Sequence, residues 1–355
     1  RMCLLINMER DTEHRDNEEA MDIESQDSNA SSSLPSTQPI EESSEWSTPY
    51  ENKQDQENIE SPSENLTWEE VLRKKYGYYY NNDGCLRSVE GDEPFKFVDQ
   101  KHYEALGDVI EKYIQEKLVS YYNLDEVKIP LPEHDPGTNK CNIFASKDWR
   151  SNEDKALILI QGAGAVRAGQ MARSVCINDS LKTGTVFPFL EEAARDGYSV
   201  IILNPNYNYN PETKERIPYN GSLEEHGNYV WENFIRLSPA RELYIVAHSC
   251  GGISTMCLLK NYWEEFKERV KAIAFTDSVH GGIGALNAEQ KAFLAENGCD
   301  WVGSSNPRDH LEKSVRKSYN GVTNLSSGHH KHEYTTGSAF PSIFPFFRNK
   351  EQYIQ

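Results

Sequence analysis

Ser249 stands between an apolar run and two glycines, in Glu242-Leu-Tyr-Ile-Val-Ala-His-Ser-Cys-Gly-Gly-Ile253. A Ser hydroxyl is a weak nucleophile until a base takes its proton. The pattern is one residue away from G-x-S-x-G, the strand–turn–helix elbow that lifts a Ser out at the carboxyl end of a sheet, with Ala247 in place of the first Gly. Small residues also suit an ordinary turn between strand and helix, so the motif needs partners. Two carboxylates follow in the chain, Asp277 and Asp309, and then three imidazoles, His329, His330 and His332. Ser, then Asp, then His is the chain order of the hydrolase triad. There the His accepts the Ser proton, and the acid orients the His and stabilises its cation. The tetrahedral intermediate needs two backbone N–H donors, which Cys250 and the Gly162-Ala163-Gly164 turn would supply. Each residue also has a plainer reading. Asp277 and Asp309 could be turn formers, and His329-His-Lys-His332 a solvated loop or a metal site. No Cys or carboxylate pair at ligand spacing supports a metal, and no cofactor is expected.

The elements that must position these residues can be read from hydrophobic periodicity. Lys155-Ala-Leu-Ile-Leu-Ile160, Tyr198-Ser-Val-Ile-Ile-Leu203, the strand before Ser249 and Lys271-Ala-Ile-Ala-Phe275 are continuous apolar runs, as strands buried on both faces require. Asn142–Ala145, Asp300–Ser304 and Val322–Leu325 are further strand candidates. Helices are predicted over about 186–195, ending at Gly197, over 222–237 behind a capping box at Ser222, over 251–267, over 288–296 and over 342–349. Strands alternating with helices give a parallel sheet covered on both faces, with its site at the carboxyl ends of the strands. The expected fold class is therefore α/β, of the α/β-hydrolase type. Residues 140–350 form the sheet core. Residues 66–139 add a hairpin (Tyr76–Tyr80 with Cys85–Val89 across an Asn82-Asp-Gly84 turn) and a helix over about 103–121. Residues 351–355 are expected as a short tail.

Charge divides the chain differently. Of the net −19 over 355 residues, residues 1–65 hold −13, from 4 Lys/Arg against 17 Asp/Glu, so the rest is close to ordinary. Residues 1–65 are rich in Ser, Glu, Asp, Asn and Gln and poor in large apolar groups, so they are expected to be a disordered acidic tail. Clustered Lys/Arg is missing, which argues against direct nucleic-acid binding. Seven widely spaced cysteines without a CxxC pair suit reduced thiols. Met2–Ile6 is too short for a signal-peptide core, and no run reaches the ~20 apolar residues of a spanning helix.

Several blocks also resemble one family. Leu159-Ile-Gln-Gly-Ala-Gly-Ala-Val-Arg-Ala-Gly-Gln-Met-Ala-Arg173, Val200-Ile-Ile-Leu-Asn-Pro-Asn206, Val246-Ala-His-Ser-Cys-Gly-Gly252, Ala274-Phe-Thr-Asp-Ser-Val-His280, Trp301-Val-Gly-Ser-Ser305 and the His332-Glu333 pair are similar to the Argonaute-binding-protein domain family. The likeness runs over about 66–350 and is strongest to its cotranscriptional-regulator branch. It implies an α/β-hydrolase-like fold. It also implies a nuclear protein, possible in the cytoplasm too, that joins an Argonaute protein to chromatin and splicing factors in small-RNA silencing. The alternative is an active serine hydrolase on an ester, thioester or acyl-amide, because a fold can keep a site's shape with or without its chemistry. By resemblance the nucleophile is Ser249 and the base His332. The acid is Asp309, with Asp277 as rival. Three positions depart from the family pattern. Gln161 stands where relatives have His, Cys250 where Tyr is common, and the loop after Asn206 lacks a long charged insertion that would serve nuclear import.

Overall fold

The computed structural model describes residues 66–281, 286–313 and 321–354. The acidic segment 1–65 lies outside them. The first helix among the described residues is Trp68–Tyr76. Thr67 Oγ1 accepts the Glu70 N–H, and the Glu70 carboxylate accepts the Thr67 N–H. This reciprocal box satisfies two of the four donors that a helix start leaves open. Gly77, at φ +72°, ends the helix in the left-handed conformation. The hairpin β1 (Tyr78–Tyr80) and β2 (Leu86–Ser88) follows as expected, with an isolated antiparallel bridge from Arg87 to Pro94. The helix Gln100–Ser120 then buries Leu106, Val109, Ile110, Ile114 and Leu118.

An eight-stranded sheet is built from β3 (Leu124–Ile129), β4 (Cys141–Ser146), β5 (Lys155–Ile160), β6 (Tyr198–Ile202), β7 (Glu242–His248), β8 (Val270–Thr276), β9 (Gly298–Val302) and β10 (Thr323–Ser326). Its order is β10-β9-β8-β7-β5-β6-β4-β3, parallel from β10 to β6 and antiparallel over β4 and β3. The continuous apolar runs are explained by burial on both faces. Leu157 and Leu159 enter one core, with the helices Gln100–Ser120, Phe187–Asp196 and Thr335–Arg348. Ala156, Ile158 and Ile160 enter the other, with the helices Leu223–Val230, Gly251–Asn261, Trp263–Arg269 and Ala288–Asn297. From β5 the chain goes to β6 on one side and then crosses to β7 on the other. The turns leaving β5 and β7 therefore flank a topological switch point, where open sheets place their ligands.

Some expectations are corrected. β3 was not foreseen: Leu-Asp-Glu-Val-Lys-Ile is charged because it is an edge strand, buried only at its two ends. The helix after Ser249 breaks at Tyr262 into Gly251–Asn261 and Trp263–Arg269. The closing helix starts at Thr335 rather than Ser342, with Pro341 and Pro345 inside it. After the closing helix, Lys350–Gln352 form a turn and Tyr353 packs its ring on Trp301 and Phe346.

Candidate active site

Ser249 follows β7 directly and holds φ +51°, a left-handed backbone that a non-glycine residue adopts only under constraint. Backbone bonds impose it. The Ser249 N–H donates to the Thr276 carbonyl (3.1 Å), and the Ser249 carbonyl accepts from Gly252 (3.1 Å) and Val279 (2.9 Å). The two glycines are required by close approach. A Cβ on Gly251 would lie 2.6 Å from the Ile160 carbonyl oxygen. One on Gly252 would lie 2.0 Å from Ser278 Oγ and 2.8 Å from the Val279 carbonyl. The helix Gly251–Asn261 thus rests on the end of β5 and on the turn after β8, and Ser249 occupies the bend between them. The side chain is buried at 6 % exposure.

Gly162 faces this bend from β5. A methyl group placed on it would meet Ser249 Cβ at 2.8 Å, Ser249 Oγ at 3.3 Å and His248 Cδ2 at 3.4 Å. Asn206, at the end of β6, fixes the turn: its Nδ2 donates to the Gly162 carbonyl (2.7 Å) and the Val166 carbonyl (3.1 Å). Gly162 therefore lies against the Ser249 side chain. Ala163 is exposed at the mouth. Cys250 is buried at the head of the helix, and its backbone donor comes with the helix N-terminus. Gln161 is buried at 2 % exposure and is followed directly by this turn.

The two acids part company. His332 Nδ1 lies 2.6 Å from Asp277 Oδ2, in a pair that is mostly buried. Asp309 is occupied elsewhere: its Oδ1 accepts from Trp301 Nε1 (2.8 Å) and its Oδ2 from Ser342 Oγ (2.7 Å). The ranking that put Asp309 first is thus reversed. Asp277, at φ +45°, sits in the turn after β8, beside the strand that leads into Ser249. Its N–H donates to the Trp301 carbonyl (2.9 Å), and the next N–H, that of Ser278, turns toward the buried Asp300 carboxylate (3.3 Å). Gly303 lets the His-bearing loop pass close by. A Cβ there would be 3.0 Å from the His330 carbonyl oxygen and 3.5 Å from Asp277 Oδ2.

Of the three histidines, His332 reaches the Asp277 carboxylate. His329 stacks on His330 (centroids 5.0 Å) and on Tyr334 (4.4 Å), and its Nδ1 accepts the Lys331 N–H (3.1 Å). It shapes the loop. Among the described residues no three His, Cys, Asp or Glu side chains group as metal ligands.

Sequence reasoning missed His248. Its ring lies 4.7 Å from that of His332, and its Nδ1 is 2.9 Å from the Thr276 carbonyl oxygen. A carbonyl only accepts, so Nδ1 carries the proton in this contact. Thr276 Oγ1 in turn meets Thr336 Oγ1 at 2.7 Å, on the helix that follows His332. The signal available was position alone, one residue before Ser249. His226 was also missed. Fully buried, it accepts the Asn204 N–H at Nε2 (2.9 Å) and donates from Nδ1 to Asn220 Oδ1, so it ties the end of β6 to the loop over the site. Burial holds its pKa down at about 3, and that of His280, stacked on Phe275, at about 4.

A strained Ser at the strand–helix elbow after β7, a glycine turn against it, and an Asp–His pair from the segments after β8 and β10 define an α/β-hydrolase-like domain. Comparison with known proteins gives the family. The Arb2 domain profile matches residues 72–308. The "Cotranscriptional regulator ARB2A homolog" of Dictyostelium discoideum is 40% identical over 313 residues, covering 78% of this chain and 79% of that protein. "Cotranscriptional regulator ARB2A" of Mus musculus is 36% identical over 335 residues, covering 77% and 79%. Among solved structures, the histone deacetylase Clr3 aligns at a TM-score of 0.48 and 18% identity, over 72% of this chain and 39% of that one. The chain belongs to the Arb2 domain family.

Proposed function

We propose that this protein is a nuclear cotranscriptional regulator that associates with an Argonaute protein and with chromatin and splicing factors, through a hydrolase-like domain over residues 66–350. The observation that carries this reading is the 40% and 36% identity to proteins named cotranscriptional regulators, spread over 79% of their length. The acidic segment 1–65 would serve as a solvated or interacting extension. The test is affinity capture of the tagged full chain from nuclear extract, with Argonaute, splicing and chromatin proteins quantified. Enrichment of Argonaute with wild-type chain and equally with Ser249→Ala is expected. Exclusion of the chain from nuclei, or capture without Argonaute, overturns it.

A second reading is favoured by the 2.6 Å contact between His332 and Asp277 at the strained elbow: an acyl hydrolase. With Nδ1 engaged by the carboxylate, Nε2 is the basic atom of His332. It takes the proton as Ser249 Oγ bonds to the acyl carbon, and the charge on the former carbonyl oxygen falls to the N–H donors of the Cys250 and Gly162–Ala163 turns. The leaving alcohol, thiol or amine departs with that proton, and water then releases the acyl group by the same path. A fluorophosphonate probe tests the reading. Labelling is expected on the folded wild type and lost in Ser249→Ala and His332→Ala. A folded chain that stays unlabelled sinks it.

A further inference from the structure

A cavity of about 490 Å³ opens where His134 and Tyr219 meet one face of the helix Leu223–Val230 and its continuation, Trp231–Ile235. That face presents Glu225, Asn228, Tyr229, Glu232 and Asn233, which recur at helical spacing. None of the lining residues belongs to the Ser249 site.

Three rings line it. The Tyr229 centroid lies 5.6 Å from that of His134 and 5.3 Å from that of Tyr219, and His134 lies 6.4 Å from Tyr219. Tyr229 is buried, and its oxygen accepts the Leu131 N–H (2.6 Å) with His134 Nδ1 at 2.8 Å, so the inner ring is fixed. Tyr219 is half exposed and holds φ +58°. A bulky residue keeps that backbone only where its surroundings impose it, and the result here is a third ring at solvent beside two others.

Negative charge borders the rings. Glu225 and Glu232 stand four residues before Tyr229 and three after it, both exposed. Burial raises the Tyr229 pKa, and the charge of Glu133 adds to that, which brings a third carboxylate near. No lysine lines the cavity. The lining oxygens are largely committed. Glu225 accepts from Arg216 Nη2 (2.7 Å) and from the Gly221 N–H (2.9 Å), Glu232 Oε1 from the Tyr262 hydroxyl (2.9 Å), and Asn228 Oδ1 from Asn261 Nδ2 (3.1 Å). A primary ammonium or a guanidinium brings three to five N–H donors and would have to compete for these oxygens. A quaternary ammonium brings none. It is held by ring faces and by the charge of carboxylates that need not turn toward it. The Asn228 amide also leaves a donor at the cavity, which suits a peptide carbonyl beside the cation. A choline phosphate would bring its phosphate to Glu225 and Glu232 instead.

We infer that this cavity recognises a trimethylated lysine side chain on a protein partner. The site goes beyond the regulator and hydrolase readings and depends on neither.

The full chain is titrated by NMR with Nα-acetyl-trimethyl-lysine amide, with its unmethylated form, with the neutral isostere that has carbon in place of Nε, and with phosphocholine. The trimethylated compound should bind at least about fivefold more tightly than the isostere, as a cation over partly exposed rings allows, and more tightly than the other two. Tyr219→Leu should erase the preference over the isostere, and Tyr219→Phe, which keeps the ring, should retain it. Glu232→Gln removes a charge but keeps an acceptor for Tyr262. It should weaken the trimethylated compound about twofold to threefold and leave the isostere unchanged. Equal binding of the trimethylated compound and its isostere overturns the inference, as does a preference that survives Tyr219→Leu, or no binding at all. Tighter binding of the unmethylated form overturns the methyl-dependence, and tighter binding of phosphocholine overturns the protein source.

Discussion

Acidification should loosen this fold, and His226 sets a measurable part of the effect. The imidazole is fully buried between the Asn204 N–H and Asn220 Oδ1, with its pKa held at about 3 by burial, against 6.5 for an ordinary His. The sign follows from proton counting. Between those two values the unfolded chain holds a proton that the native chain does not, so stability rises with pH through this window and falls on acidification. From about pH 7.5 to about pH 5 the loss is close to 1.4 kcal/mol for each pH unit below 6.5, or about 2 kcal/mol. His280, buried with its pKa at about 4, adds a similar slope of its own, so wild type alone cannot isolate either group. His226→Gln can. A Gln offers one acceptor and one donor in place of the two ring nitrogens but does not titrate. Urea unfolding at both pH values should show a lower starting stability for the variant, from imperfect packing, and a pH-dependent loss smaller than that of wild type by about 2 kcal/mol. Parallel losses in the two proteins would refute the reasoning. So would an NMR titration in which His226 gains its proton near 6.5 in the folded state.

Three further outcomes are expected. Gly162→Ala puts a methyl carbon 2.8 Å from Ser249 Cβ and should cost about 1–3 kcal/mol in thermal or urea unfolding, with probe labelling of Ser249 sharply reduced. Gly252→Ala collides with the Val279 carbonyl, which is backbone and cannot swing aside, so its loss in unfolding free energy should be at least as large. The two acids should separate by assay. Asp277→Asn should slow fluorophosphonate labelling by orders of magnitude at little cost in melting temperature, because it leaves the His332 ring in the wrong tautomer. Asp309→Asn should leave labelling intact and lower stability by about 1 kcal/mol, since its partners are Trp301 and Ser342.

That contrast shows where the sequence could be read and where it could not. The strands around the site were legible because burial on both faces writes itself as an unbroken apolar run, as in Leu157–Ile160 and Val200–Ile202. The elbow was legible because Gly251 and Gly252 leave no room for a side chain. β3 was hidden because an edge strand can carry Asp, Glu and Lys like any loop. The choice of acid was hidden for a different reason. Asp277 and Asp309 each follow a strand, and each adopts a left-handed turn, φ +45° and +68°. Local chemistry is the same for both, and only the third dimension tells them apart. Asp309 accepts the Trp301 indole N–H and the Ser342 hydroxyl, while Gly303 clears a path by which the His332 loop reaches Asp277. Composition favours neither, and chain order permits both.

The same limit applies to His248. A histidine before a nucleophile is one residue among many that the position accepts. What gives it meaning is that β7 and β8 are adjacent and in register, His248 opposite Thr276. Its Nδ1 proton then goes to the Thr276 carbonyl, and its ring lies 4.7 Å from that of His332. The ring beside His332 is therefore supplied by the strand that leads into Ser249, and Thr276–Thr336 links the strand before Asp277 to the helix that follows His332. Ser249, Asp277 and His332 come from three separate strand ends, yet their supports are shared. A change at any one of Gly162, His248 or Thr276 should therefore be felt at all three, which is what pre-organisation of such a site requires.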